Sequence, residues 1–317
     1  MKLALLGTGM IVRELLSVLE ELGISPYALL GREGHRERGE ELARRHHIPH
    51  LYFDYEQLLE GEADTVYIGL PNGVHFEYAR AALLKNKHVI VEKPMVLTTG
   101  EFTELRALAQ ERGLILVEAM TLHYLPALRQ MREDLSLLGR IRLSVFNYSQ
   151  YSSRYDAFLR GEIAPAFDPA LGGGALMDLN VYNLHAALYL FGLPRAADYV
   201  PNMGRGVDTS GVLTLDYGEM KTVCLAAKDC QGPNRSLITG ERGWLELQGP
   251  LSVGPDYSVT LRSGETLRRE FPRDVHRMAP EFRIIRDMVD NVRLDLAEEF
   301  LDISGGAVKI LDQVRPY

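Results

Sequence analysis

Short apolar runs alternate with segments of helical periodicity through the first third of the chain. Residues 3–6 form a continuous apolar run, and leucines then stand at positions 15, 16, 19 and 22. The run predicts a strand that is covered on both faces, and the leucine spacing predicts a helix with one apolar face. Further strands are predicted at 27–30, 65–69, 88–91 and 114–117, and further helices at 39–46, 75–85 and 99–112. This alternation predicts a doubly wound parallel sheet, the Rossmann arrangement, over residues 1–120.

The pattern changes after residue 120. A helix is predicted at 125–138, a strand at 141–148, and a long polar connection at 150–171. Short alternating segments then predict strands at 212–217, 221–226, 236–239, 243–247 and 258–262, followed by helices at 280–292 and 296–314. These elements predict an α+β C-terminal domain with a largely antiparallel open sheet over residues 121–317. The last of these helices could instead pack back on the first domain.

A glycine-containing turn joins the first predicted strand to the first predicted helix. It consists of Gly7-Thr8-Gly9-Met10-Ile11-Val12, a variant of the dinucleotide-binding fingerprint. Gly7 permits the tight turn, and Gly9 lets the backbone approach a pyrophosphate at the helix N-terminus, where Met10 and Ile11 supply amides. Val12 replaces the third glycine, and we expect this replacement to loosen the packing of the helix on the strand.

The residues after the second predicted strand bear on the choice between NAD and NADP. An acidic residue at this position would accept hydrogen bonds from the adenosine ribose of NAD, but the chain has Gly31 and Arg32. These two residues leave space and positive charge for a 2′-phosphate, so the sequence favours NADP over NAD. Glu33 is a counter-signal if it, rather than Arg32, points toward the nucleotide.

Charge and composition narrow the classes of function. Lys and Arg total 35 against 43 Asp and Glu, and the resulting net charge of -8 argues against nucleic acid as a partner. The two cysteines, Cys224 and Cys230, match no zinc or disulfide spacing, and we expect no metal. No apolar run approaches the ~20 residues that a membrane helix needs. The sequence therefore predicts a cytoplasmic protein that acts on a small polar metabolite.

Two motifs follow the predicted strands at 65–69 and 88–91. The first is Pro71-Asn72-Gly73-Val74-His75 and the second is Glu92-Lys93-Pro94; Glu118-Ala119 and a segment from Gly172 to Asp178 follow later. Their order and spacing resemble the Gfo/Idh/MocA oxidoreductases, the family of glucose-fructose oxidoreductase, inositol dehydrogenase and the rhizopine catabolism proteins. The resemblance covers the chain to at least Gly192.

This resemblance implies a reaction and an assembly. The expected activity is hydride transfer between nicotinamide and a CH-OH or C=O carbon of a sugar, polyol or dihydrodiol-like substrate. Residues 1–120 would bind the dinucleotide, and residues 121–317 would bind the substrate and form a homodimer or homotetramer through the C-terminal sheet. Two alternatives remain: a non-catalytic dinucleotide sensor on the same scaffold, and an eliminase or glycosidase that recycles a tightly bound NAD.

Lys93 is the first predicted catalytic residue. It ends a buried strand at the edge of the sheet where ligands bind, and a cation there suits the oxygen of a hydride acceptor. The resemblance implies that Lys93 contacts the substrate hydroxyl and that Glu92 holds the cofactor ribose. It also implies that four residues lie along the cofactor: Leu70, Pro71, Asn72 and His75. His75 could instead be an ordinary residue at the start of a helix.

The helix after Gly174 carries the predicted acid–base group. Residues Asp178, Tyr182, His185 and Tyr189 recur every three or four positions, so one face of a helix would carry them. Many relatives have histidine where this chain has Tyr182. With tyrosine at this position, the chain resembles the branch of the family that contains the dimeric dihydrodiol dehydrogenases and glucose-fructose oxidoreductases. A phenol has an ordinary pKa near ~10, so its anion needs a cation, for which Lys93 is the candidate. Asp178 would position both groups.

The remaining predicted substrate contacts are Arg154 and Tyr155 in the long polar connection, and the histidines His123 and His185. Both histidines stand where the relatives usually carry other residues, so their roles stay open. Tyrosine and histidine on a helix face are also common as core residues with satisfied polar atoms, and this alternative applies to Tyr182 and His185.

Overall fold

The computed structural model of the chain describes residues 1–254, 256–272 and 276–317. The strands are, in chain order, β1 Leu3–Leu6, β2 Ala28–Leu30, β3 His50–Tyr52, β4 Thr65–Ile68, β5 His88–Glu92, β6 Leu116–Ala119, β7 Ile141–Ser149, β8 Ala196–Gly204, β9 Val207–Asp216, β10 Lys221–Ala227, β11 Arg235–Gly240, β12 Gly243–Gln248, β13 Tyr257–Leu261 and β14 Thr266–Arg269. The α-helices are α1 Met10–Glu21, α2 Arg36–Arg45, α3 Tyr55–Glu60, α4 His75–Leu84, α5 Thr99–Arg112, α6 Pro126–Asp134, α7 Tyr155–Leu159, α8 Val181–Phe191, α9 Ala279–Asp290 and α10 Leu294–Val314.

The chain divides into two compact units. Unit 1 comprises Met1–Ala119 and Asp274–Gly305, and unit 2 comprises Met120–Arg273 and Gly306–Tyr317. The sequence assigned residues 121–317 to one domain and left open whether the last helix packs back on the first domain, whereas the structure groups α9 and the first half of α10 with unit 1. Within the described residues, no helix combines the length and apolar character needed to cross a membrane.

Unit 1 contains a six-stranded parallel sheet in the order β3-β2-β1-β4-β5-β6. Every residue of β1 and β4 is buried, as expected for strands covered on both faces. The strand order reverses between β1 and β4, and loops at such a point line a crevice where dinucleotides bind. The predicted Rossmann domain is therefore confirmed.

Two short elements of unit 1 were not predicted. Strand β3 has three residues, none of them fully buried, so it shows neither a continuous apolar run nor an alternation long enough to detect. Helix α3 follows directly, and the side chain of Asp54 caps it by accepting a hydrogen bond from the Gln57 amide at 3.1 Å.

The prediction that Val12 loosens the packing of α1 on the sheet is wrong. Val12 is completely buried, and a Cβ atom on Gly69 would lie 2.7 Å from the Val12 Cγ2 atom. The valine side chain therefore occupies the space that a glycine at the end of β4 leaves open. The helix therefore packs closely on the sheet, because the small residue of this contact is Gly69, directly after β4, and the larger one is Val12 on the helix.

Unit 2 is built on an eight-stranded sheet in the order β14-β13-β12-β11-β7-β10-β9-β8. Strands β7 and β10 pair in parallel, with Val145 opposite Val223, and the other neighbouring pairs are antiparallel. The predicted largely antiparallel sheet is confirmed. Its two unpredicted strands, β8 and β14, lie at the edges, where fewer of their side chains are buried and the apolar pattern is weak.

The helix that carries Tyr182 begins differently from the prediction. A π-helical turn spans Leu176–Asn180, and α8 continues from Val181. Asp178 therefore lies inside the π turn and does not open a regular α-helix. The predicted single inward face is also wrong, because nearly every residue of α8 is buried and Tyr189 is the exception before its last residue. Two asparagines anchor the segment, since Asn180 and Asn183 donate to the backbone carbonyls of β10.

The connection at 150–171 has more structure than the sequence predicted. It contains α7 and two short 3-10 turns, Pro165–Phe167 and Pro169–Leu171. Phe158 and Phe167 stack at 4.7 Å between ring centroids and form, with Val207, a small core of their own. The segment is therefore folded by its own apolar side chains, which the polar composition of the connection obscures.

Candidate active site

The turn after β1 needs glycine at its first position. Gly7 has a φ of 104°, and a Cβ atom there would lie 2.9 Å from the carbonyl oxygen of Gly69. Its amide donates to the Leu30 carbonyl at 3.0 Å, so the turn is fixed against both neighbouring strands. A side chain at this position would strain the backbone and push β4 away.

The second glycine of the turn leaves open space instead. A Cβ atom on Gly9 would find no other atom within 4 Å. Gly9 is the N-cap of α1, whose first turn has no acidic residue and no side-chain cap, and the Met10 side chain is 65% exposed. Uncapped amides beside an open position fit a bound pyrophosphate, and Met10 and Ile11 are the first residues to supply them.

An arginine at the start of α2 stacks on an aromatic ring that also borders the end of β2. A Cβ atom on Gly31 would lie 3.0 Å from Phe53, and the guanidinium of Arg36 lies 4.0 Å from the centroid of that same ring. Arg36 also donates to both carboxylate oxygens of Glu33, at 2.7 and 2.8 Å. Arg32 is exposed. Glu33, the acidic residue that argues against NADP, is thus paired with the neighbouring Arg36.

His75 ties together the loops that follow β4 and β5. Its Nε2 atom lies 2.8 Å from the Leu70 carbonyl oxygen, and its Nδ1 atom lies 3.0 Å from the Pro94 carbonyl oxygen. The ring is completely buried, and burial lowers its pKa. The side chain of His75 therefore joins the backbones of two loops. Pro71 and Asn72 lie on the first of these loops and are half-buried.

Glu92 and Lys93 stand at the carboxyl end of β5. The Tyr67 hydroxyl donates to Glu92 Oε1 at 2.6 Å, and the Lys93 amide donates to Glu92 Oε2 at 3.2 Å. Burial raises the pKa of Glu92, although the hydrogen bond from Tyr67 and the charges of Lys93 and Arg277 oppose this effect. The Lys93 side chain is half-buried, and the peptide bond to Pro94 is cis. The predicted lysine therefore lies at the expected edge of the sheet on a firmly held backbone.

Glu118 is a site residue for which the sequence analysis proposed no role. It lies in buried strand β6, and its Oε1 atom accepts a hydrogen bond from the Met95 amide at 2.9 Å. Burial raises the pKa of Glu118 to about 7, against the lowering effect of hydrogen bonds from Ser304 and Met95. An acidic residue inside an otherwise apolar strand was the available signal, because such a group needs a specific partner. Glu118 holds the chain directly after the Lys93 motif.

In unit 2, Asp178 is bound by a lysine that sequence reasoning missed. Lys228 Nζ donates to Asp178 Oδ2 at 2.7 Å, and the Lys228 side chain is 2% exposed. The two residues are distant in the sequence, and Lys228 follows a strand whose alternation gives no sign of a buried cation. This partner had no detectable signal in a single sequence.

The glycine-rich segment before Asp178 is clamped by Asp208. Asp208 accepts hydrogen bonds from the Leu176 amide and the Tyr199 hydroxyl, both at 2.6 Å, and from the Tyr317 hydroxyl at 2.9 Å. A Cβ atom on Gly174, which has a φ of 111°, would lie 1.9 Å from Asp208 Oδ1. The carboxylate can therefore approach the backbone only because position 174 is glycine.

Tyr182 and the two histidines lie on or beside α8. Tyr182 is 9% exposed, and its ring centroid is 5.6 Å from that of Tyr148 on β7. His185 Nδ1 lies 3.1 Å from His123 Nε2, and both rings are buried. Burial lowers the pKa of both, that of His185 to about 3. The histidines thus form a neutral, mutually bonded pair, as the core-residue alternative expects for His185.

Arg154 and Tyr155 are the two predicted substrate contacts in the connection at 150–171. Arg154 is exposed at the start of α7. The Tyr155 ring packs on the small aromatic core, with centroids 5.9 Å from Phe158 and 6.0 Å from Phe167. Tyr155 therefore has a packing role that its place in a polar connection did not indicate. Among the described residues, no group of three or more His, Cys, Asp or Glu side chains is arranged to hold a metal ion.

Two models of known protein families match the chain, one in its first part and one in its second. Residues 1–120 match the model of the oxidoreductase family with an NAD-binding Rossmann fold, and residues 128–246 match the GFO/IDH/MocA C-terminal domain. The chain belongs to the Gfo/Idh/MocA oxidoreductase family, as the motifs predicted. It is an NAD(P)-dependent oxidoreductase, so the predicted enzyme class is confirmed.

Individual relatives cover most of the chain. A scyllo-inositol 2-dehydrogenase (NADP(+)) from Bacillus subtilis is 31% identical over 88% of this chain and 85% of its own length. A trans-1,2-dihydrobenzene-1,2-diol dehydrogenase from Danio rerio is 28% identical over 74% of this chain and 68% of its own. A 3-ketoreductase from Actinomadura kijaniata, solved with NADP and TDP-benzene, has a TM-score of 0.84 at 23% identity and covers 98% of this chain and 96% of its own.

Proposed function

We propose that this enzyme transfers a hydride between NADP and a CH-OH or C=O carbon of a sugar, polyol or dihydrodiol-like substrate. The observation that carries the proposal is the carboxyl edge of the parallel sheet. There, a glycine turn with an open position at Gly9 and a lysine held by Glu92 belong to the same sheet. Relatives named for inositol and dihydrodiol oxidation support this substrate class.

The chain supplies three groups to the proposed chemistry, and the nicotinamide supplies the hydride-exchanging carbon. Lys93 carries a positive charge that stabilises an alkoxide or a polarised carbonyl oxygen. Tyr182 exchanges the hydroxyl proton of the substrate. Asp178 acts on the position and charge environment of Tyr182, one helical turn earlier in the sequence. Glu92, as proposed from the family resemblance, holds the cofactor ribose.

Preference for NADP is the finer part of the proposal. Arg36 pairs with Glu33, and the neighbouring Arg32 is exposed, so residues 32–36 carry one more positive than negative charge. Fluorescence titration of the apo protein should show tighter binding of NADPH than of NADH, by roughly tenfold or more. Arg32→Ala should weaken NADPH binding and leave NADH binding unchanged. Equal affinities in the parent protein would contradict the preference.

A substrate screen tests the activity itself. With the preferred cofactor, a panel of inositols, sugars and trans-dihydrodiols should include compounds that change the nicotinamide absorbance in proportion to enzyme concentration. Dinucleotide binding without turnover on any compound would favour the sensor alternative. Cofactor that co-purifies and is never released would favour the eliminase or glycosidase alternative.

We also propose a homodimer or homotetramer formed through the exposed face of the C-terminal sheet. On that face Leu143 is 58% exposed, Val200 is 61% exposed and Trp244 is 39% exposed, and the strand register places all three on one side. Light scattering should give a mass of at least two chains, and Leu143→Asp should reduce it. A monomeric parent protein would contradict this assembly.

The cytoplasmic location stays a prediction.

A further inference from the structure

Lys228 is a buried cation directly after β10, in unit 2. Its Nζ atom donates to the Ala166 carbonyl at 2.6 Å and to Asp178 Oδ2 at 2.7 Å, and it lies 4.3 Å from the centroid of the Phe167 ring. Removing a lysine from water costs several kcal/mol unless hydrogen bonds and an opposite charge compensate it. The acceptors and the ring provide this compensation, so the position of Lys228 depends on all of them.

Three segments of unit 2 meet at this lysine. Its amide donates to the Thr209 carbonyl of β9 at 2.8 Å, and its carbonyl accepts from the Ser152 amide at 2.9 Å. Ser152 and Ala166 lie near the two ends of the segment 150–171, and Asp178 lies in the π turn that leads into α8. Lys228 therefore fastens this segment to the start of the helix that carries Tyr182.

The ion pair also sets the charge of the turn that leads into the Tyr182 helix. Asp178 precedes Tyr182 by four residues in the sequence, and an uncompensated carboxylate close to a phenol disfavours the formation of a phenolate. The positive charge of Lys228 at 2.7 Å cancels the charge of the carboxylate. Titratable groups around this turn include Asp178 itself, Lys228 and, across from α8, Tyr148 on β7, whose ring is 5.6 Å from that of Tyr182.

We propose that Lys228 is a positioning residue for the reaction: it neutralises Asp178 and holds the 150–171 segment against the helix of Tyr182. Its effect on turnover rests on the proposed function. The ionisation of Tyr182 can, however, be measured with neither cofactor nor substrate, and this separates the two proposals.

The first test is the pH profile of kcat for alcohol oxidation, in which Tyr182 acts as a base. Lys228→Met should move the pH of half-maximal kcat upward by about one unit, with about a tenfold lower kcat below it. Lys228→Arg, which keeps the charge, should move it much less. The double variant D178N/K228M buries no unpaired charge, so it should return the pH of half-maximal kcat toward that of the parent, while kcat itself stays lowered by the loss of Asp178. The KM for the dinucleotide should change in none of them.

The second test is ultraviolet titration of tyrosinate in the apo protein, with Tyr182→Phe in each background to isolate the signal of Tyr182. Lys228→Met should shift this ionisation to higher pH, and D178N/K228M should reverse the shift. If Lys228→Met does not fold, Lys228→Gln, which keeps a donor for the Ala166 carbonyl, replaces it. An unchanged ionisation of Tyr182 in a folded, uncharged variant would overturn the proposal. Absence of turnover in the parent would overturn only the proposed function.

Discussion

The candidate site residues of unit 1 and those of unit 2 are supported in different ways. In unit 1 the Lys93 loop follows β5, where Glu92 of the same strand accepts from the Lys93 amide and Glu118 of the adjacent β6 accepts from the Met95 amide. In unit 2 the Tyr182 helix begins with a π turn, and Asp178 in that turn is still 33% exposed on its side chain. The Lys93 loop is held from within one sheet, and the turn before the Tyr182 helix depends on a few long-range polar contacts. We therefore expect substitution of Lys93 to affect chemistry with little effect on folding, and substitution of Asp178 or Lys228 to affect both.

The largest expected effect is that of Lys93→Met. The change removes the charge that is proposed to stabilise the substrate oxygen, whereas the backbone amide at this position keeps its hydrogen bond to Glu92. Turnover should fall by about a thousandfold or more, with dinucleotide affinity within about twofold of the parent. Steady-state kinetics and fluorescence titration measure the two quantities, and a near-parental kcat would refute the role of Lys93.

Tyr182→Phe should have the next largest effect. Loss of a general acid–base group lowers kcat by roughly a hundredfold to ten-thousandfold, and the ring itself is retained for packing. Tyr189→Phe, farther along the same helix, is the matched control and should keep most of the activity. Equal losses in the two variants, measured in the same assay, would show that the loss in Tyr182→Phe is not specific to proton exchange.

The two glycines of the first turn allow two substitutions within unit 1 to be compared. Gly7→Ala meets the Gly69 carbonyl and an unfavourable φ, so it should cost at least about 2 kcal/mol of unfolding free energy. Gly9→Ala enters open space and should leave stability within about 0.5 kcal/mol, while it weakens dinucleotide binding. Urea unfolding and cofactor titration separate these outcomes. A destabilised Gly9→Ala variant would argue against an open pyrophosphate position.

The smallest expected effect concerns the pH dependence of stability. Burial raises the pKa of Glu118 from 4.5 to about 7, so the folded state binds this proton more tightly than the unfolded state does. Stability from this group is then complete below pH 4.5 and is lost as pH rises toward 7. The difference is on the order of 3 kcal/mol at most. Glu118→Gln should remove this part of the pH dependence, and an unchanged stability profile would contradict the buried position of the proton.

The sequence predicted unit 1 more completely than unit 2 for a physical reason. Rossmann strands are continuous apolar runs, and the residues at their ends are adjacent in sequence to the strands that place them. The places of Gly7, Gly9 and Lys93 at strand ends were therefore predictable from local pattern, whereas the predicted role of Lys93 also rests on the family resemblance. The compensating pair Val12 and Gly69 was not, because it joins two distant segments.

In unit 2 the informative contacts are long-range. The pairing of Asp178 with Lys228, the clamp of Asp208 on Gly174 and the small core around Phe167 all join segments far apart in sequence. Periodicity assigns a face to a helix only when one side meets solvent, and α8 is buried on nearly every side. The π turn before it also shifts the spacing on which the predicted face relied.

The central claim, direct hydride transfer by a Gfo/Idh/MocA oxidoreductase, is tested most directly by following a label. A polyol substrate identified in the screen is prepared with deuterium on the carbon of the oxidised hydroxyl and incubated with enzyme and NADP. Mass spectrometry of the reduced cofactor should show one deuterium per turnover, with none released to water. Recovery of the label in water, or its return to a product that is not oxidised, would contradict the account.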